Sequence, residues 1–210
     1  ITLVGELRCP GEYPIVRGGP LRSVIERAGG LTPFAFAQGS VFTRESLMER
    51  EKEQIRFLAD RLRQDLGTLA LQAAQAPGSG AQQATETLTI GRGLLSDLLD
   101  TVPVGRLVIQ LDRIVASQPG AAGDVMLKDG DTLRVPRLAQ EVTVIGEVQF
   151  STSHLYDPSL SREDYLRMSG GATQKADEKR IYIVRANGSV ESGGRSRWFG
   201  QSTSSIQPGD

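Results

Sequence analysis

Part of this chain occurs twice. Residues 1–7 (ITLVGEL), the triplet Ala28-Gly29-Gly30 and residues 41–44 (VFTR) return as residues 142–148 (VTVIGEV), Ser169-Gly170-Gly171 and residues 182–185 (YIVR), every pair 141 residues apart. Thr2/Thr143, Gly5/Gly146, Glu6/Glu147, Gly29/Gly170, Gly30/Gly171, Thr32/Thr173, Ala35/Ala176 and Arg44/Arg185 are identical. A repeat of this kind constrains the fold more than any single motif, because one supersecondary unit must be stable in two places. The length of 210 residues accommodates two compact units, and the repeat selects two.

Each copy opens with alternating apolar and small or polar residues that end at Gly-Glu, the period-2 pattern of a half-buried strand running into a turn. In the first copy Pro10-Gly11 supplies the turn and residues 13–16 return as a second strand. In the second, residues 151–153 (STS) occupy the turn and residues 154–156 (HLY) return. A short helix follows over residues 21–28, with Leu21, Val24, Ile25 and Ala28 on one face, and Gly29-Gly30 closes it by taking the left-handed conformation. The second copy has Ser161 as N-cap, Asp164 three residues on, Tyr165 and Leu166 facing inward, and Gly170-Gly171 at the end. A third strand is expected at residues 41–44 and 181–185. Strand, strand, helix, strand implies a small mixed sheet grasping one helix, an α+β architecture.

A strand ending Gly-Glu, a Pro-Gly-x-Tyr turn, a helix closed by Ala-Gly-Gly-x-Thr and a strand ending in Arg resemble the soluble-ligand-binding β-grasp (SLBB) domain. Residues 127–136 (LKDGDTLRVP) are similar to the close of such domains, and residues 142–148 to the start of the next. Two such units in tandem resemble the periplasmic part of Wza-like outer-membrane polysaccharide export proteins. The expected organisation is a first β-grasp domain over residues 1–136 and a second over residues 142–210. The five-residue connector between them (RLAQE) is too short for free tumbling.

The first copy is interrupted. Between Arg44 and Gly105 lie about sixty residues where the second copy has only the hairpin turn Ala186-Asn187-Gly188. Lengthening a hairpin tip costs little, since loop-closure entropy grows only logarithmically. The insertion, about 46–103, reads as helical. Ser46 and Glu49 form a capping-box pattern, and Ile55, Leu58, Leu62, Leu66 and Leu69 recur at spacings of three and four. The first helix is expected to end at Pro77-Gly78, a small polar linker to follow through Ala84, and a second helix to run from about Gly91 to Thr101. The leucine stripe either closes on its neighbour within the chain or packs against another copy, so Ile55, Leu58, Leu62, Leu66 and Leu69 are candidate oligomer contacts. Downstream, residues 106–111 resume the sheet, residues 112–116 make a helical turn, and residues 132–135 form a strand that Pro136 terminates.

Charge is nearly balanced, 24 Lys and Arg against 25 Asp and Glu, and aromatic content is only 5%, so nothing favours a nucleic-acid partner. No apolar run reaches membrane-span length. Residues 206–210 (IQPGD) match residues 127–131 (LKDGD), so the second domain is expected to be C-terminally truncated, with any signal sequence, lipid attachment or membrane anchor outside these residues. Cys9 is the only cysteine and His154 the only histidine, which argues against a disulfide within the chain and against a multi-histidine metal site. No nucleophile-elbow spacing surrounds the serine-rich tail. Glu6 and Glu147 stand at strand-to-turn junctions, where a carboxylate receives backbone donors or pairs with an arginine. The glycine pairs follow helix C-termini, the wrong end for phosphate. Trp198-Phe199 read as a patch on a sheet edge. Gly5, Glu6, Gly29, Gly30, Gly146, Glu147, Gly170 and Gly171 are therefore structural turn and cap residues, and no catalytic, cofactor or metal site is expected.

What the resemblance implies is a non-enzymatic, homo-oligomeric periplasmic component of capsule or exopolysaccharide export. It would contact the exported polysaccharide weakly and transiently and partner an inner-membrane polysaccharide co-polymerase. Two alternatives stay open: a saccharide or small-ligand-binding β-grasp module, and an SLBB accessory unit of another envelope assembly.

Overall fold

The first sheet is built around β1 (Thr2–Gly5), whose Leu3 points into the core and is almost wholly buried. β1 pairs antiparallel with β2 (Gly11–Glu12) and parallel with β5 (Thr132–Val135). With β3 at Val41–Thr43 and β4 at Arg106–Leu107, the strand order is β2-β1-β5-β3-β4. Parallel neighbours require a crossover, and α1 (Leu21–Arg27) lies within it. Its Leu21, Val24 and Ile25 are fully buried against Leu3, Phe42, Leu133 and Val135, joined by Leu111 and Ile114 of α4 (Leu111–Ala116). Burying each such side chain is worth about 1.5–3 kcal/mol. In the computed structural model the described residues are 1–15, 18–75, 79–177, 180–192 and 205–210.

The second copy reproduces the first in register. Helix α5 (Arg162–Met168) and strand β8 (Tyr182–Val184) are α1 and β3 displaced by 141 residues. The isolated pairing of Leu7 with Leu31 recurs as Val148 with Ala172. Ser161 caps α5 in a capping box with Asp164, each side chain bonding the other residue's backbone amide. Strand β6 (Glu141–Val144) pairs antiparallel with β7 (Thr152–Leu155), and β8 with β9 (Val190–Ser192) across the Ala186-Asn187-Gly188 turn. These remain separate two-stranded sheets. The Asp210 carbonyl accepts from the Thr143 amide at 2.9 Å, as the Asp131 carbonyl accepts from Thr2 at 3.0 Å. In the first copy the chain then continues as β5, which lies between β1 and β3 and unites the sheet. The second core gathers Val142, Tyr165, Ile183 and Ile206.

Residues Thr43–Arg106 form a unit of their own. In it α2 (Glu45–Gln75) and α3 (Ser79–Asp100) lie along each other. Leu66 fills the space over Gly91, where a Cβ would come within 2.3 Å of its Cδ2. At the base, the Arg44 amide donates to the Gly105 carbonyl at 2.9 Å, and the Glu51 carboxylate accepts from the amides of Val104 and Gly105, each at 2.9 Å. One carboxylate thus ties the returning strand to the first turns of α2.

Several expected boundaries differ. The returning strand of the first hairpin is Gly11–Glu12 rather than residues 13–16: Pro14 has no amide to give a ladder, and Val16 lies outside the described residues. Helix α2 begins at Glu45, which puts Ser46 inside the first turn and removes it from the capping position. Pro77 and Gly78 lie outside the described residues, but the expected linker is helical from Ser79, and α3 starts a dozen residues before Gly91. Ala81, Gln82, Gln83 and Ala84 are good helix formers, so small polar composition there did not mean a linker. The strand expected over residues 106–111 ends at Leu107, because Leu111 opens α4. Trp198 and Phe199 lie outside the described residues.

Candidate functional site

The repeated Gly-Glu corner is a mechanical joint. Gly5 and Gly146 have φ of 95° and 99°, which turns the chain out of β1 and β6. The Glu6 carboxylate that follows accepts from the Thr32 hydroxyl and from Arg137 Nε at 3.2 Å. The Thr32 amide donates to the Glu6 carbonyl at 3.1 Å, so the corner is clasped to the segment after Gly29-Gly30. The second copy repeats the clasp: Thr173 donates its hydroxyl to Glu147 at 2.8 Å and its amide to the Glu147 carbonyl at 2.9 Å. The Thr32 hydroxyl, helped by the Arg137 charge and against partial desolvation, holds the Glu6 carboxyl below its ordinary value. Arg137 also lies over the Phe34 ring, 5.4 Å from its centroid, so the connector is fastened to the first copy. Gly29, Gly30, Gly170 and Gly171 all have φ between 78° and 84° and follow the C-termini of α1 and α5. Their amides donate back to helical carbonyls, Gly30 to Ile25 and Gly171 to Leu166, both at 2.9 Å.

The remaining residues singled out in the sequence are dispersed. His154 bonds through Nε2 to the Ser169 hydroxyl at 2.9 Å and sits beside the Tyr165 ring. Cys9 is an exposed free thiol. Among the described residues no group of three or more His, Cys, Asp or Glu side chains is placed to hold a metal ion, and no helix is long and apolar enough to cross a membrane. In the helical hairpin Ile55, Leu62, Leu66 and Leu69 are half-buried, while Leu58 is 49% exposed.

The two copies meet at a cleft of about 320 Å³. It is bounded by the turn Ala37–Gly39, the start of α4, the β8–β9 hairpin and residues 207–210. Phe36 and Ile109 are buried in its wall. Contact across the boundary is close: a Cβ on Gly209 would lie 3.4 Å from the Phe36 ring, and one on Gly39 would lie 3.2 Å from Ala186. Arg185 organises one side. Its Nε and Nη2 bond the two Glu191 oxygens at 2.9 Å each, and Nη1 reaches Asp210 Oδ2 at 2.6 Å and the Ser205 carbonyl at 3.0 Å. Burial works against the Arg185 charge, but the bonds to Glu191 and the charge of Asp210 outweigh it and hold the guanidinium protonated. Burial also pushes the Asp210 carboxyl up, opposed in part by the Gln207 amide and Arg185.

The repeat flagged Arg185, as the counterpart of Arg44. Nothing in the sequence flagged Gln38, Gln110, Asp112 or Arg113. Gln38 falls opposite Lys179 in the repeat and the other three follow the insertion; contact of the Ala37–Gly39 turn with α4 brings them together within the first copy, and the second copy closes the cleft over them.

The family model described as SLBB domain matches residues 1–50 and 142–199, just over half of the chain. Two curated relatives, both polysialic acid transport protein KpsD of Escherichia coli, are 27% and 26% identical over 205 residues. The alignments cover 95% of this chain and 33% of each relative, so the chain spans about a third of their length. The matched segments contain both Gly-Glu corners and both Gly-Gly-x-Thr clasps, and the chain belongs to the SLBB domain family.

Proposed function

We propose that this chain is a non-enzymatic part of a polysaccharide export assembly, with two tandem β-grasp domains, residues 1–136 and 142–210, contributing to a periplasmic ring or vestibule associated with the outer membrane. The similarity across 95% of the chain to proteins named for polysialic acid transport carries this reading. The architecture supports it: the residues shared between copies are spent on corners, clasps and helix ends. A long hydrated polymer passes through a channel whose walls hold it weakly, since every strong contact would slow its release. An inner-membrane polysaccharide co-polymerase is the expected partner, and nucleic acid is not. Fold likeness alone does not fix function, so the test is direct. Cells lacking the full-length protein should stop exporting polymer while still synthesising it, and the purified full-length protein should form closed rings by mass photometry and negative-stain imaging. Unchanged export in those cells sinks the reading.

Subunit contacts are assigned to the helical hairpin. Of the leucine stripe, Ile55, Leu62, Leu66 and Leu69 are partly covered, and Leu58 is left half-exposed with its neighbour Phe57 at 68%. Phe57→Glu together with Leu58→Glu is expected to shift the full-length protein toward smaller species in analytical ultracentrifugation, with its circular dichroism unchanged.

A further inference from the structure

The cleft between the copies carries hydrogen-bonding capacity that the fold leaves unused. Gln38, Gln110 and Gln207 line it from three different segments, and none of their side-chain amides has a described partner. Asp112 and Arg113, at the start of α4, also line it and form no ion pair among the described residues. Resting on the export reading, we propose that this cleft is a weak binding site for one neutral sugar residue of a polyhydroxylated chain.

Size, chemistry and charge point the same way. About 320 Å³ is at the low end for small-molecule sites and suits a single ring with its linkages emerging at the mouth. A carboxamide offers two donors and a carbonyl acceptor, so one amide can bridge adjacent hydroxyls that both donate and accept. Phe36 and Ile109 show only narrow apolar edges in the wall, so polar groups carry the recognition. Among the described residues the lining has two guanidinium groups, Arg113 and Arg185, against three carboxylates, Asp112, Glu191 and Asp210. Arg185 is occupied by Glu191 and Asp210, so among the described lining residues there is no cationic surplus for a carboxylated sugar. The same network fixes the wall in advance of binding, which lowers the ordering cost. Affinity is nevertheless expected to be weak, because amides that are exposed at Gln38 and Gln110 and half-buried at Gln207 exchange bonds with water for bonds with hydroxyls at small net gain.

The test is a titration of the ¹⁵N-labelled 210-residue protein with maltohexaose as neutral probe and oligosialic acid as acidic probe. Maltohexaose should give saturable shifts in the side-chain NH₂ signals of Gln38, Gln110 and Gln207 and in the backbone amides of Ala186 and Asn187. Oligosialic acid should bind more weakly there. The double variant Gln110→Ala, Gln207→Ala should weaken maltohexaose binding by about tenfold, the loss of two modest hydrogen bonds, at unchanged Tm. Absent or non-saturable shifts, shifts that map elsewhere, equal binding by the variant, or tighter binding of oligosialic acid overturn the proposal. Export measured in cells lacking the full-length protein separates the two ideas: unchanged export there defeats the export reading on its own, while a failed titration beside lost export defeats the cleft alone.

Discussion

Gly5 and Gly146 occupy one repeat position with the same left-handed backbone, yet they are not equally replaceable. A Cβ on Gly5 would lie 2.0 Å from the Val135 carbonyl oxygen, whereas one on Gly146 would meet nothing within 4 Å. Left-handed strain alone costs an alanine about 1–2 kcal/mol; the collision with β5 is added only at Gly5. Gly5→Ala is therefore expected to lose roughly 3 kcal/mol or more and Gly146→Ala about 1 kcal/mol in urea unfolding. Equal losses would mean that the close approach of β5 is not what Gly5 serves. Glu6 gives a pH signature. Its carboxyl is held below the ordinary value of 4.5, chiefly by the Thr32 hydroxyl. A depressed folded-state pKa contributes stability above the unfolded value, and that contribution disappears as pH falls through the folded one. Glu6→Gln should lower Tm at neutrality, where the contribution is fully present, and flatten its fall on acidification below about pH 4.5; an unaltered acid limb would exclude Glu6 as a contributor. Its place at a strand-to-turn junction left two partners open for Glu6, backbone donors or an arginine, and the structure shows the Thr32 hydroxyl and Arg137. Neither partner was legible by number: the parallel pairing of Gly5 with Val135 carries Arg137 to Glu6 from the other end of the first copy.

Helix ends separate what local sequence controls from what it does not. Ser161 and Asp164 form the expected capping box, because both partners lie within one turn and need nothing from the rest of the chain. Ser46 and Glu49 carry a similar pattern, yet α2 begins one residue earlier, with the Leu47 and Met48 amides donating to the Arg44 carbonyl. The exit of β3 and the Arg44–Gly105 bond set that start. Ser161→Ala should accordingly cost about 1 kcal/mol, and Ser46→Ala should stay within about 0.5 kcal/mol, both by denaturant titration. Comparable costs would return Ser46 to the cap. The early start of α3 belongs to the same scale: a helix of modest propensity extends when a partner helix runs beside it, since packing of the apolar face supplies most helical stability.

The two copies are alike in sequence and unlike in how their strands join. The first gathers Leu3, Phe42, Leu133, Val135 and the inner faces of α1 and α4 around a five-stranded sheet. The second holds Val142, Tyr165, Ile183 and Ile206 between two separate hairpins, and leaves Ile145 and Tyr182 more than half exposed. Hydrogen exchange is therefore expected to show the amides of β6 to β9 opening well before those of β1 and β5, because fewer buried apolar contacts oppose their opening. Simultaneous exchange of all three sheets would show that the packing of the two copies couples them into one cooperative unit. Sequence alone determined the duplication, read by comparing the chain with itself, and the α+β class, the helix-ending glycine pairs and the β8–β9 turn, which depend on residues within a few positions of each other. Only the tertiary structure decided that β5 lies between β1 and β3, that Arg137 serves Glu6, and that Gln38, Gln110 and Gln207 share a cleft. The reason is physical: periodicity and turn chemistry are written along the chain, whereas long-range pairing and the meeting of two cores depend on which surfaces bury best against each other.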